Sequence, residues 1–168
     1  SGKTLFFASL SASAEVDALR RVYRSATFPC VSTAPLAKAL EKILGGVTVR
    51  FAPDPLGATD EIAKLQPGEV LVLENLRFYR NESSRSADER QAMADVLASY
   101  CDVFVNDSFA TCMDEKCSNV ALPRRLRHGA AGMLLDKELS YFKRLLTHPA
   151  KPTCVVVGGT HLESKLRL

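Results

Sequence analysis

Tryptophan is absent from these 168 residues, and histidine and methionine occur three times each. Long apolar runs are missing too. The longest, such as VLVL at 70–73 and CVVV at 154–157, are far too short to cross a bilayer, so no membrane partner is expected. The start, Ser1-Gly2-Lys3-Thr4, lacks the charged and apolar regions of a signal peptide, and export is not expected. A strong charge of one sign is also lacking. Twenty-two basic against 19 acidic residues leave +3, which calls for no nucleic-acid partner. The densest basic stretch, Arg124-Arg125-Leu126-Arg127-His128, reads as a solvated loop, with an anion-binding patch as the alternative.

Five cysteines stand at 30, 101, 112, 117 and 154, an odd number with no close-paired spacing. Cys112 and Cys117 with His128 or His161 could be drawn as zinc ligands, but the spacing matches no thiolate-pair pattern, and no metal is expected. Cys101 and Cys154 sit in apolar, strand-like surroundings, where a free thiol acts as a small hydrophobe. Together these favour a reducing, intracellular compartment, the cytoplasm or a glycosome-like organelle.

What is present is 46% hydrophobic and 24% charged, enough for one well-filled core. Apolar, strand-length runs recur at 3–8, 47–51, 69–74, 102–106 and 153–157. Between them, Thr33 can cap a helix with Pro35 in its first turn and Leu36, Ala39, Leu40, Ile43 and Leu44 on one face, ended by Gly45-Gly46. A short helix is predicted at 60–65. A capping box, Ser86 with Glu89, opens another that runs to about Tyr100. Leu134, Leu135, Leu139, Phe142, Leu145 and Leu146 make the stretch 132–146 amphipathic. The runs at 69–74 and 102–106 read as strands buried on both faces. Such alternation defines an α/β fold with a parallel, Rossmann-like sheet in three αβα layers. Ligands of such sheets sit at the carboxyl ends of the strands, which directs attention to 9–13, 75–79, 107–117 and 158–165.

Those segments carry a resemblance. Glu74-Asn75-Leu76-Arg77-Phe78 is similar to the ENLRF segment of the phosphoglycerate kinase family. Residues 105–111, VNDSFAT, resemble its VNDAFGT, and 157–165, VGGTHLESK, resemble its GGAKVSDK. The stretch from Gly132 to Phe142 resembles the start of the helix that links the family's two domains. The motifs stand in family order, clearest from about Thr33 to Leu168. The resemblance implies an N-terminal domain of phosphoglycerate-binding type at 1–131, a hinge helix at 132–148 and the start of a nucleotide-binding domain at 152–168.

The family moves a phosphoryl group between 1,3-bisphosphoglycerate and ADP, a glycolytic step. Such chemistry rests on positioning and dense positive charge, for which arginine's two-point grip is well suited. By resemblance Arg77, Ser9 and Asn106 are candidates to bind the acid substrate. His161 and Lys165 are the candidate catalytic positions, and Gly158, Gly159 and Lys165 the candidate nucleotide-binding ones. Mg-ATP or Mg-ADP is the family's cofactor, and this chain alone is not expected to hold it.

Several positions depart from the pattern. In the counterpart of the SHLGRP loop, Ser9 stands for histidine and Ala12 for arginine. After NDAFGT the family continues AHRAHSS; here Met113 and Asp114 replace His-Arg, and Lys116 replaces the second histidine. His161 stands for the first lysine of GGAKVSDK, and Asp136 where lysine is common. A carboxylate beside a trianionic substrate costs up to several kcal/mol, roughly 10- to 1000-fold in affinity. The first strand of the family, which supplies further substrate contacts, has no counterpart upstream of Gly2, and the chain stops before the nucleotide motifs. The expectation is therefore an internal portion of a longer protein, needing its absent parts. It would be a homologue with impaired catalysis and a structural or regulatory role, with a protein partner, not identifiable from the sequence, as a further expectation. The alternatives are a working kinase with a rearranged site and some other anion-binding role.

Overall fold

The computed structural model describes the backbone of residues 4–7 and, in full, residues 32–154 and 156. Five short strands and five helices appear among them. The strands are β1 (Thr4–Phe7), β2 (Val49–Ala52), β3 (Val70–Leu73), β4 (Val103–Asn106) and β5 (His128–Ala131). The helices are α1 (Ala34–Leu44), α2 (Thr59–Ala63), α3 (Ala87–Ala98), α4 (Leu122–Arg125) and α5 (Met133–Thr147). Every strand pairing is parallel, as the alternation of strands and helices requires.

The single parallel sheet expected from the sequence is instead two sheets among the described residues. β2 pairs with β3 in register Val49↔Val70, while β1, β4 and β5 form a second sheet with Thr4↔Val103 and Val103↔His128. Alternation fixes strand direction but not neighbours, and β1 lies beside β4, nearly a hundred positions away, rather than beside β2. β5 was not expected at all. His128-Gly129-Ala130-Ala131 has no β-branched residue, so its propensity is low, and pairing with β4 overrides it. The basic run thus spans α4 and the start of β5 instead of a loop.

One apolar core joins the two sheets: Ala52 and Leu71 from the first, Phe104 from the second, with Ile62, Met93, Ala94, Leu97, Tyr100, Cys117, Ala121 and Leu122. Met93, Leu97 and Leu122 are fully buried, each contributing about 1.5–3 kcal/mol of transfer free energy. The strands are less covered than their runs suggest. In β3 only Leu71 is buried and in β4 only Phe104, so one face of each is packed and the other half-open among the described residues.

Helix starts are partly as predicted. Ser86 Oγ accepts the Glu89 N–H at 3.4 Å, but Glu89 bonds Ser84 Oγ at 2.6 Å, so the reciprocal half of the box is replaced by a neighbour. Thr33 precedes α1 without capping it, because its hydroxyl donates to the Leu73 carbonyl at 2.6 Å. The buried line of α1 centres on Ala37, while Ile43 and Leu44 lie exposed, and Gly45 and Gly46 take positive φ of 44° and 89°. In α5 only Leu135 is buried; Leu139, Phe142, Leu145 and Leu146 face outward. The strand expected over 153–157 is not found at Thr153, Cys154 or Val156, and Cys154 is exposed rather than in apolar surroundings. No helix among the described residues is long and apolar enough to cross a membrane.

Candidate functional site

Parallel pairing brings the turns that follow β3 and β4 to the carboxyl ends of their sheets, where ligands of open α/β folds bind. The turn after β3 is held by Glu74. Its carboxylate accepts from Ser32 Oγ (2.6 Å), Thr33 N (2.8 Å), Thr33 Oγ1 (3.2 Å) and Asn75 N (2.7 Å). Burial pushes the Glu74 carboxyl up, but these bonds outweigh it and hold it below the usual carboxylate range. Asn75 Oδ1 then accepts the Arg77 N–H at 3.0 Å, shaping one turn of 3₁₀ helix that carries the Arg77 side chain outward, exposed. Tyr79 closes the turn by donating to Asp54 at 2.7 Å. Burial first, and then that carboxylate, push its phenol up to about 12.

The loop after β4 is wound by its own polar groups. Asn106 Oδ1 accepts the Ser108 N–H at 2.9 Å and Asn106 Nδ2 reaches Cys112 Sγ at 3.4 Å, so the side chain is engaged inside the loop. Cys112 in turn donates to the Ser108 carbonyl at 3.0 Å. Asp107 accepts from the Leu134 and Leu135 N–H groups at 2.7 and 3.0 Å, serving as the N-terminal cap that Gly132 cannot supply to α5. Phe109 stacks on Phe142 of α5, centroids 4.9 Å apart. Met113 projects into solvent, 88% exposed, and Asp114 pairs with Lys116 at 2.7 Å.

Glu82 joins the two turns. Only 3% exposed, it accepts from Ser118 Oγ at 2.5 Å and Ser118 N at 3.1 Å, anchoring a π-turn at Cys117–Ala121. Burial raises its carboxyl pKa; Ser118 and the charges of Lys116 and Arg77 partly offset this. Neither Glu82 nor Ser118 was among the sequence candidates, since a pair 36 positions apart leaves no local pattern. Asp107 lay inside a quoted motif, but its cap needs Gly132, 25 positions on, to be visible.

Of the sequence candidates, Arg77 and Asn106 lie at the ends of β3 and β4. Ser9, Gly158, Gly159, His161 and Lys165 lie outside the described residues. In the basic run, Arg124, Arg127 and His128 are exposed, while Arg125 pairs with Asp95 at 2.6 Å, which interrupts the patch.

A parallel α/β domain with two wound loops at its strand ends is the class the geometry defines. The family model described as phosphoglycerate kinase matches residues 18–168. The cytosolic phosphoglycerate kinase of Trypanosoma congolense is 46% identical over 134 residues, 80% of this chain and 32% of that protein. Phosphoglycerate kinase A of Trypanosoma brucei brucei is 37% identical, covering 100% of this chain and 35% of its own. Among solved structures, the phosphoglycerate kinase of Pyrococcus horikoshii superposes with a TM-score of 0.70 at 30% identity, covering 82% of this chain and 35% of that one. The chain belongs to the phosphoglycerate kinase family, and it spans about a third of the length of these relatives.

Proposed function

We propose that this chain forms the acid-substrate side of a phosphoglycerate kinase homologue whose hold on phosphoglycerate is weakened, leaving a structural or regulatory role. The observation that supports this is the Asp114–Lys116 pair at 2.7 Å. The loop after β4 offers Lys116 as its cation, and the neighbouring carboxylate spends that charge internally. The rest of the same protein is the proposed partner. Mg-nucleotide would belong to that remainder, and the compartment is intracellular, in keeping with relatives described as cytosolic and glycosomal.

Titration calorimetry of the full-length protein with 3-phosphoglycerate tests the reading. Affinity in the millimolar range is expected, and Asp114→Asn should raise it roughly tenfold by freeing Lys116. Micromolar binding by the unmodified protein would overturn the reading. A second reading, a working kinase with a rearranged site, draws on Arg77, exposed at the end of β3 within an intact motif. It predicts phosphoryl transfer by the unmodified full-length protein that Arg77→Ala abolishes.

A further inference from the structure

We propose that Glu82 is a positioning residue for anion binding at this end of the sheets: its carboxylate ties the loop after β4 to the turn after β3 and sets how strongly Arg77 and Lys116 attract an anion. The ligand class rests on the reading above; the role of Glu82 rests on the geometry around it.

Glu82 is one of two buried polar or charged side chains among the described residues, the other being the uncharged Ser108. Burying a carboxylate is costly unless hydrogen bonds compensate, and Ser118 supplies two, one from the backbone and one from the hydroxyl. Two consequences follow. The Ser118 end of the loop, two residues from Lys116, is tied to the turn Arg80–Ser83, which directly follows the turn that carries Arg77. The same carboxylate is an anion facing both cations, and it opposes a second anion arriving there.

Every neighbouring element contributes to the field at this point. The turn after β3 brings Arg77, and the loop after β4 brings Lys116 with its partner Asp114. The π-turn brings Cys117, buried and held protonated with its thiol up at about 12, and α3 sets Arg90 and Asp95 around that thiol. Burial holds the Glu82 carboxyl above its ordinary value, so it gains its proton first as pH falls. The opposing charge is then removed while the Ser118 tie is kept in part.

Sulfate is the probe, because it stays dianionic between about pH 5 and about pH 8 and does not depend on recognition of a phosphoglycerate. In the full-length protein, sulfate affinity should rise as pH is lowered across that range. Glu82→Gln can keep both contacts, its carbonyl accepting from Ser118 N and its amide donating to Ser118 Oγ. It should bind sulfate roughly three- to tenfold more tightly than the unmodified protein at neutral pH, with the difference shrinking on acidification. Glu82→Ala, which drops the tie as well, should bind more weakly than Glu82→Gln and melt at a lower temperature. A sulfate affinity that does not change with pH in the unmodified protein would overturn the proposal, as would equal affinity in the unmodified and Gln proteins. If sulfate behaves as expected while 3-phosphoglycerate fails to bind even after Asp114→Asn, the role of Glu82 stands and the functional reading falls.

Discussion

At the scale of single residues, the same side-chain type has opposite fates according to what surrounds it. Glu74 and Glu82 are both carboxylates at a strand-end turn. Four hydrogen bonds lower one, while burial with fewer bonds raises the other. Cysteines divide similarly. Cys117 is wholly buried and its thiol is pushed up to about 12, by burial and then by the Glu82 charge. A thiol kept protonated and shielded is a poor nucleophile. In the folded protein, Cys117 should resist iodoacetamide at pH 8 and be modified only after denaturation, as read by peptide mass spectrometry. Rapid labelling of Cys117 under native conditions would contradict its placement. Cysteine count and spacing excluded a paired metal motif, but burial of each thiol could not be read from them.

At the scale of elements, the join between β4 and α5 shows how a helix can borrow its cap. Gly132 occupies the N-cap position, and Asp107 reaches across to accept from Leu134 and Leu135. A carboxylate there also meets the positive end of the helix. Any side chain at Gly132 would overlap that carboxylate. Asp107→Ala should lower stability by about 1 kcal/mol, within the usual range of 0.5–2 for a lost cap. Gly132→Ala should cost more, and much less when combined with Asp107→Gly, since that change removes the Asp107 Cβ, 2.5 Å from the added methyl, along with the carboxylate. Additive losses in chemical denaturation would refute a direct clash. The amphipathic stretch at 132–146 was legible as a helix from its period, and α5 covers it. Its cap was not, because the capping residue belongs to another element.

At the scale of the whole molecule, Glu74 ties β3 to the start of α1, and so joins chain segments about 40 positions apart. Its folded-state pKa lies below the ordinary value, so the unfolded chain takes up protons first as pH falls. The stabilisation it gives is present above the ordinary carboxylate range and is lost as pH drops through the lowered folded value. Glu74→Gln should therefore lower the melting temperature at neutral pH, and the gap to the unmodified protein should close in acid. A gap that persists unchanged at pH 3 would show that the charge contributes nothing. Glu82 acts in the opposite sense: its raised pKa favours the folded form when protonated, so its burial penalty eases on acidification.

The sequence by itself determined the α/β class, the parallel direction of the strands and most helix positions. These depend on period and on nearby turn or capping residues, all local in the chain. It also carried the family, through ENLRF, VNDSFAT and VGGTHLESK in order. Only the tertiary structure decided that the strands split into two sheets, that HGAA becomes β5, and that Phe104 and Leu71 face a shared core while their neighbours stay half-open. It alone brought Glu82 to Ser118 and Asp107 to Gly132. Strand neighbours and buried polar pairs are settled by which distant groups can satisfy one another once water is excluded, and no local pattern encodes that choice.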